Sequence, residues 1–218
     1  ISSEQHVVAV NASAAAAGIR PGMPTALARA LQPELRLNAR DLEAERQALQ
    51  RLADWALQFT SWLSLQPPDG LLLEIAGSLS LFGGLDRLTE LLRQKLELLG
   101  YQGRLTVAPT PTGAWLLNRA GDERPVRDLH ALRQHLGRLP CSVLELDKRQ
   151  QQALQGLGVN TLGQCLQLPR TGLARRLGPA LLAQLDKALG QAPDPRRPHQ
   201  PSPSFHARLE LPAAVEQV

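Results

Sequence analysis

This 218-residue chain is poor in aromatic residues, with three Phe, three Trp and one Tyr, 3% of the total, against 43% hydrophobic residues overall. Its core must therefore be filled by Leu, Ala and Val. Cysteine is nearly absent. Cys141 and Cys165 show no metal-ligand spacing and lie in apolar surroundings, so they read as buried thiols in a reducing compartment. No apolar run approaches the roughly 18 residues a membrane span needs, and no signal peptide is present. No phosphate-loop motif occurs, and no Ser or Cys has a convincing base partner. His130 and His135 are five apart on a helical stretch, not the usual i, i+4 ligand spacing, and read as surface residues. The residues therefore imply neither a metal nor a cofactor. Lysine is scarce too: with only Lys95, Lys148 and Lys187, 21 of the 24 basic residues are arginine, and the formal net charge is +4. Guanidinium forks suit phosphate groups, which makes nucleic acid the leading partner class. Genomic composition produces the same bias, and charge alone does not separate the two.

What is present reads as alternating helices and strands. Val7–Val10 predicts a short strand, and the alanine-rich Ala12–Ala17 a helix ending at Gly18. Pro24 suits the first position of a second helix. Leu35–Leu37 reads as a strand, and Asp41 as the cap of a long helix with Leu49, Leu52, Ala53, Ala56 and Leu57 on one face. Ser61–Gln66 and Leu71–Ala76 read as strands joined by Pro67-Pro68-Asp69-Gly70. A Leu-rich helix from Leu85 to Leu99 stops at Gly100. A strand at Arg104–Ala108 would make 71–108 a strand–helix–strand unit of crossover length. Another helix, Thr112–Ala120, ends at Gly121. The expected class is α+β, with helices on one face of a sheet.

Beyond Leu139 the texture changes to short helices and glycine-containing hairpins. Gln191–Ser204 contains Pro193, Pro195, Pro198, Pro201 and Pro203 and reads as an extended linker. Phe205–Val218 resumes a strand-like pattern, as the opening of a further domain. The chain opens at Ile1 and stops at Val218 in mid-pattern, so it reads as a fragment of a longer cytoplasmic protein.

The most informative stretch is Pro67-Pro68-Asp69-Gly70-Leu71-Leu72-Leu73-Glu74-Ile75. Its first four residues, taken alone, are a hairpin turn feeding a core strand. The whole stretch, however, resembles the active-site strand of Y-family translesion DNA polymerases, in which an Asp-Glu pair precedes a small residue, two large apolar residues, an acid and an aliphatic. Asp69 falls at the Asp and Gly70 at the Glu. Two-metal nucleotidyl transfer needs several carboxylates converging on cations about 3.5–4 Å apart, and glycine supplies none. Glu74, an odd number of residues from Asp69, points to the opposite face of a strand.

The resemblance is distributed along the chain. Asn11, Ala12 and Ala15, followed by Gly18-Ile19 and Gly22-Met23, match a fingers segment in which a Tyr and an Arg grip the nucleotide triphosphate. Ala12 and Ala15 offer neither hydroxyl nor charge. Thr106–Leu117 is similar to the palm stretch with an Asn-Lys and a second Lys four residues later. Thr112 falls at the Asn, Gly113 at the first Lys and Leu117 at the second, triphosphate-contacting Lys. Phosphoryl transfer is almost wholly positioning and electrostatics. The resemblance therefore implies a polymerase core without polymerase chemistry, with Asp69 vestigial, Gly70, Ala12, Ala15 and Leu117 at lost positions, and no catalytic residue. Gly77–Leu85 and Ala108–Thr112 resemble the ImuB group of inactive Y-family relatives. That likeness implies an adaptor in SOS-type, damage-induced mutagenesis and DNA repair. Its implied partners are DNA, an error-prone C-family polymerase, a RecA-like accessory protein and the sliding clamp, reached mainly through regions outside this chain. Localisation would be cytoplasmic and nucleoid-associated. A divergent active polymerase and a plain DNA-backbone-binding domain are the alternatives.

The implied organisation is fingers-like 1–40, a ferredoxin-like palm at 41–138, a helix-hairpin-helix thumb at 139–190, the linker at 191–204 and the start of a little-finger-like domain at 205–218. Thumb hairpins of this kind bind duplex backbone through main-chain amides near glycines and helix N-termini. Glu145-Leu146-Asp147 falls at the first hairpin, where two acids oppose phosphate. The second keeps Gly156, Gly158 and the capping Thr161, with Arg170, Arg175, Arg176 and Lys187 nearby, and these seven are the DNA-binding candidates. A packing module with solvated basic faces is the other reading of the same residues.

Overall fold

The computed structural model describes residues 5–201. The strand-like stretch 205–218 lies outside them. The elements are, in order, helices α1 (Ala12–Ala16), α2 (Thr25–Leu31) and α3 (Leu42–Ala56), strands β1 (Trp62–Gln66) and β2 (Gly70–Glu74), then helices α4 (Leu85–Leu98), α5 (Pro111–Arg119), α6 (Leu129–Arg138), α7 (Lys148–Gly156), α8 (Leu162–Gln167), α9 (Arg170–Leu177) and α10 (Pro179–Ala188). Mixed helix and sheet is thus the observed class. The chain divides into two compact units, Ile1–Trp55 with Leu65–Gly70, and Ala56–Ser64 with Leu71–Val218.

In the first unit a small cluster forms around Val7, Ile19 and Ala28, with Val10, Ala14, Met23 and Leu35 packed against it. Asn11 caps α1 by accepting from the Ala14 amide at 2.9 Å. Asp41 does the same for α3 through the Ala44 amide. Pro24 is the residue before the first turn of α2 rather than within it. The expected strands at Val7–Val10 and Leu35–Leu37 do not form ladders among the described residues. Val7 instead exchanges hydrogen bonds with Gly22 and Met23, at 2.7 and 2.8 Å. The pairing runs one step further, with the Thr25 amide donating to the Gln5 carbonyl at 3.0 Å, and goes no further on that side because α2 begins at Thr25.

In the second unit, Thr60 closes the base of the β1–β2 hairpin. Its hydroxyl accepts from the Trp62 amide at 3.0 Å and donates to the Glu74 carbonyl. The expected strand at Arg104–Ala108 is extended but unpaired as a ladder, so among the described residues the sheet has two strands. Its polar groups are claimed by α5 and the stretch after it. The Arg104 carbonyl accepts from the Asn118 amide side chain, the Thr106 hydroxyl donates to the Asp122 carbonyl, and the Val107 carbonyl accepts from the Val126 amide.

The main core joins α5 through α10, with Leu116, Leu117, Leu132, Leu136, Leu162, Leu173 and Leu185 among its buried residues. Residues 139–141 pair with 160–162: the Cys141 amide donates to the Asn160 carbonyl at 2.8 Å, and the Leu162 amide to the Leu139 carbonyl at 2.9 Å. α7 and α8 are joined by a tight turn in which Gly158 has φ +67°, a left-handed conformation that favours glycine. This is a helix-hairpin-helix. α6 and α8 meet backbone to backbone at Gly137 and Gly163, where a β-carbon on Gly163 would lie 2.7 Å from the Gly137 carbonyl oxygen. Replacing Gly163 with Ala should therefore destabilise the protein by about 1–3 kcal/mol despite alanine's better helix propensity, because a backbone atom cannot step aside. Urea denaturation of G163A, read at constant m-value, checks this.

Candidate functional site

Two of the polymerase-type positions are exposed, and a third, Gly70, is half-buried. Ala12 and Ala15 are exposed on α1. Gly70 opens β2, immediately after Asp69 at the end of the turn. Arg40, held by Glu45 at 2.7 Å, also feels the field of the Asp69 carboxylate within the first unit. Glu74 accepts from the Ala76 amide at 2.8 Å, at the start of the one-turn helix Ala76–Ser78. Among the described residues no group of three His, Cys, Asp or Glu is gathered to hold a metal ion.

The positions on α5 are different in kind. Thr110 caps the helix, accepting from the Gly113 amide at 3.1 Å and donating to the Ala188 carbonyl of α10 at 2.7 Å. Gly113 is thereby pressed against α10. A β-carbon on it would overlap the Thr110 hydroxyl and lie 3.0 Å from both the Ala188 oxygen and a Leu132 methyl. One turn later Leu117 is wholly buried. Both places where the resemblance expects a lysine therefore face the core, and neither could project a charge to solvent. The sequence carried a signal for this: 113, 116 and 117 share one helix face.

The basic candidates divide. Arg170 makes a two-pronged ion pair with Asp186, at 2.9 and 2.7 Å, which holds its carboxyl below the ordinary value. Lys187 lies 4.0 Å from Asp194. Thr161 caps α8 in a reciprocal arrangement with Gln164, beside the Gly158 turn. Gly156, Arg175 and Arg176 come together in an open groove of about 420 Å³ between α7 and α9, floored by Ala153 and Leu157. Arg149 joins them there, a residue that sequence reasoning passed over although it shares a face with Ala153 and Gly156. None of the three groove arginines pairs with a carboxylate among the described residues. The acids at the first hairpin are occupied: Glu145 pairs with Arg119 at 2.7 Å, and Asp147 caps α7 through the Gln150 amide. His135, expected at the surface, is half-buried, with its Nδ1 3.0 Å from Asp122.

Burial pushes the Cys141 thiol up to about 11, with Cys165 adding to the shift, and burial raises Cys165 as well. Neither thiol is an activated nucleophile.

Comparison with solved structures places the architecture. The chain is similar to an insertion ternary complex of Dbh DNA polymerase, with TM-score 0.71 and 18% identity over 88% of this chain and 57% of that one. It is also similar to DinB from Sulfolobus solfataricus, with TM-score 0.67 and 19% identity over 87% and 57% respectively. The fold is that of a Y-family DNA polymerase core. By sequence, residues 1–119 match the impB/mucB/samB family, and the chain belongs to that family. It is 35% identical over 187 residues to protein ImuB of Caulobacter vibrioides, covering 84% of this chain and 41% of that protein. The chain thus spans about two fifths of the length of the curated relatives it matches.

Putting the family lysine back at Leu117 should fail as a repair. A lysine there buries an ammonium without a partner, and L117K should lose about 3–5 kcal/mol of stability or more. L117M, which conserves volume, should lose less than about 1.5 kcal/mol. Thermal or urea denaturation of the two variants side by side checks this.

Proposed function

We propose that this chain is the non-catalytic polymerase-like core of an adaptor in damage-induced, mutagenic translesion DNA synthesis. The observation that carries the reading is the α5 face: Gly113 and Leu117 stand at the two lysine positions of the resemblance, the second of them the triphosphate-contacting one, and pack into the core. Loss at Ala12, Ala15 and Gly70 points the same way. In this reading the Y-family shape is retained for docking and DNA contact rather than for chemistry. Its assembly with a C-family polymerase, a RecA-like accessory protein and the sliding clamp rests on the likeness to the ImuB group, through regions outside this chain. Nucleoid association follows from the same role. Among the described residues no helix is long and apolar enough to cross a membrane.

Primer extension on the full-length protein tests the reading. With Mg²⁺ or Mn²⁺ no incorporation is expected. Template-directed incorporation that disappears on Asp69→Ala would overturn it in favour of a divergent active polymerase.

DNA contact in this reading is by phosphate rather than base, through the Arg149, Arg175 and Arg176 groove and the turn at Gly158. Binding should be weak, on the order of 10⁻⁴–10⁻⁶ M, with a salt slope near −0.9 for each phosphate neutralised. Arg175→Ala with Arg176→Ala should weaken binding equally across sequences and flatten that slope, with Arg149→Ala adding to the effect. Arg170→Ala should change affinity little, because its guanidinium is held by Asp186. Fluorescence anisotropy on primer-template DNA at several salt concentrations reads all of these. Unchanged affinity in the groove variants would make the groove a solvated or protein-docking face.

A further inference from the structure

The proline-rich stretch after α10 is extended, yet it is tied down at two separate places within the second unit. First, the Asp194 carboxylate sits at the N-terminus of α5. It accepts from the Thr112 amide at 3.1 Å and from the Thr112 hydroxyl at 2.8 Å. Arg196 closes a triangle, donating from one Nη2 to the Thr112 hydroxyl at 2.9 Å and to Asp194 at 3.2 Å. The Asp194 side chain is only 8% exposed. Burial opposes its charge, but hydrogen bonds from Thr112 and Arg196 prevail and hold the carboxyl below its ordinary value. A negative charge is also favoured at a helix N-terminus, where unpaired amides converge. Second, the His199 amide donates to the Leu63 carbonyl of β1 at 2.7 Å.

These contacts join residues more than 80 positions apart in sequence. Ordering a chain over that separation is opposed by entropy. Pro193, Pro195 and Pro198 reduce the opposition by fixing φ in the unfolded chain as well as the folded one. Leu63 lies on a strand of a two-stranded hairpin, whose unpaired carbonyls would otherwise be open to pairing with another strand.

We propose that residues 191–200 form a latch, in which the Thr112–Asp194–Arg196 triangle fastens the chain to α5 and so lays His199 against the Leu63 carbonyl of β1. Closed, the latch covers a strand edge and fixes the course of the chain leaving α10. Open, it uncovers that edge. The latch uses none of the groove arginines and is independent of whether the protein extends primers.

Hydrogen–deuterium exchange on the 218-residue chain tests it, comparing the parent with Asp194→Ala and Thr112→Val. In the parent the His199 amide should be protected. In both variants it should exchange faster by about tenfold or more, the scale of losing a hydrogen bond to a charged group, while amides in α7–α9 keep their protection. A His199 amide that exchanges at the free-chain rate in the parent, or stays protected in both variants, would overturn the latch. If Asp194→Ala loosens the whole unit, Thr112→Val decides, since it removes only the hydroxyl. Global loosening in that variant too would make the triangle a folding element rather than a latch.

Discussion

The close approach of α5 to the end of α10 governs the second unit. At that point the Thr110 hydroxyl spans the two helices, and Gly113 leaves no room for a β-carbon between them. Once the helices are that near, the face of α5 one turn on must also turn inward, and Leu116 and Leu117 become core. Burying a leucine favours folding by about 1.5–3 kcal/mol. Burying a lysine at the same place would oppose it by at least as much, unless a partner were buried with it. The lack of a cation at 113 and 117 and the presence of a leucine core there go together.

Charge in the thumb-like region follows a similar economy of partners. Arg170 and Arg119 are each committed to a carboxylate, and Asp147 to a helix cap. An exposed ion pair adds little to stability, but it does redirect a guanidinium away from any phosphate. Arg149, Arg175 and Arg176, which form no ion pair among the described residues, are the cations gathered in the groove and so the ones best placed for an anionic partner. A net charge of +4 therefore understates how local the positive surface is.

Helix boundaries were legible in the sequence because their signals are local. Asp41 and Asn11 cap, and Gly18, Gly100 and Gly121 adopt positive φ just past the ends of α1, α4 and α5. The Pro67–Gly70 turn was legible for the same reason. Strands at 7–10, 35–37 and 104–108 were misread because an apolar run does not say whether a neighbour will supply a ladder. For 104–108 the neighbours are side chains and amides from 118–126 instead. At the site, the lack of a long polar side chain at Ala12, Ala15 and Gly70 could be read directly. The groove role of Arg149 and the fastening of Asp194 could not, since each depends on contacts between segments that sequence spacing does not reveal.

The positions that the resemblance singles out are not equivalent in the structure. Ala12 and Ala15 are exposed, so a tyrosine or arginine could return there with little effect on packing. Gly113 and Leu117 are enclosed, and a long cation at either would displace α10 or bury a charge. Restoring the exposed pair would still leave positions 113 and 117 of α5 without a cation. Phosphoryl transfer depends on several charges acting together on one phosphoryl group, so charges at α1 alone would supply only part of such a set. The helix packing in the second unit, and not only the identity of single side chains, therefore sets which of these positions could carry a cation at all.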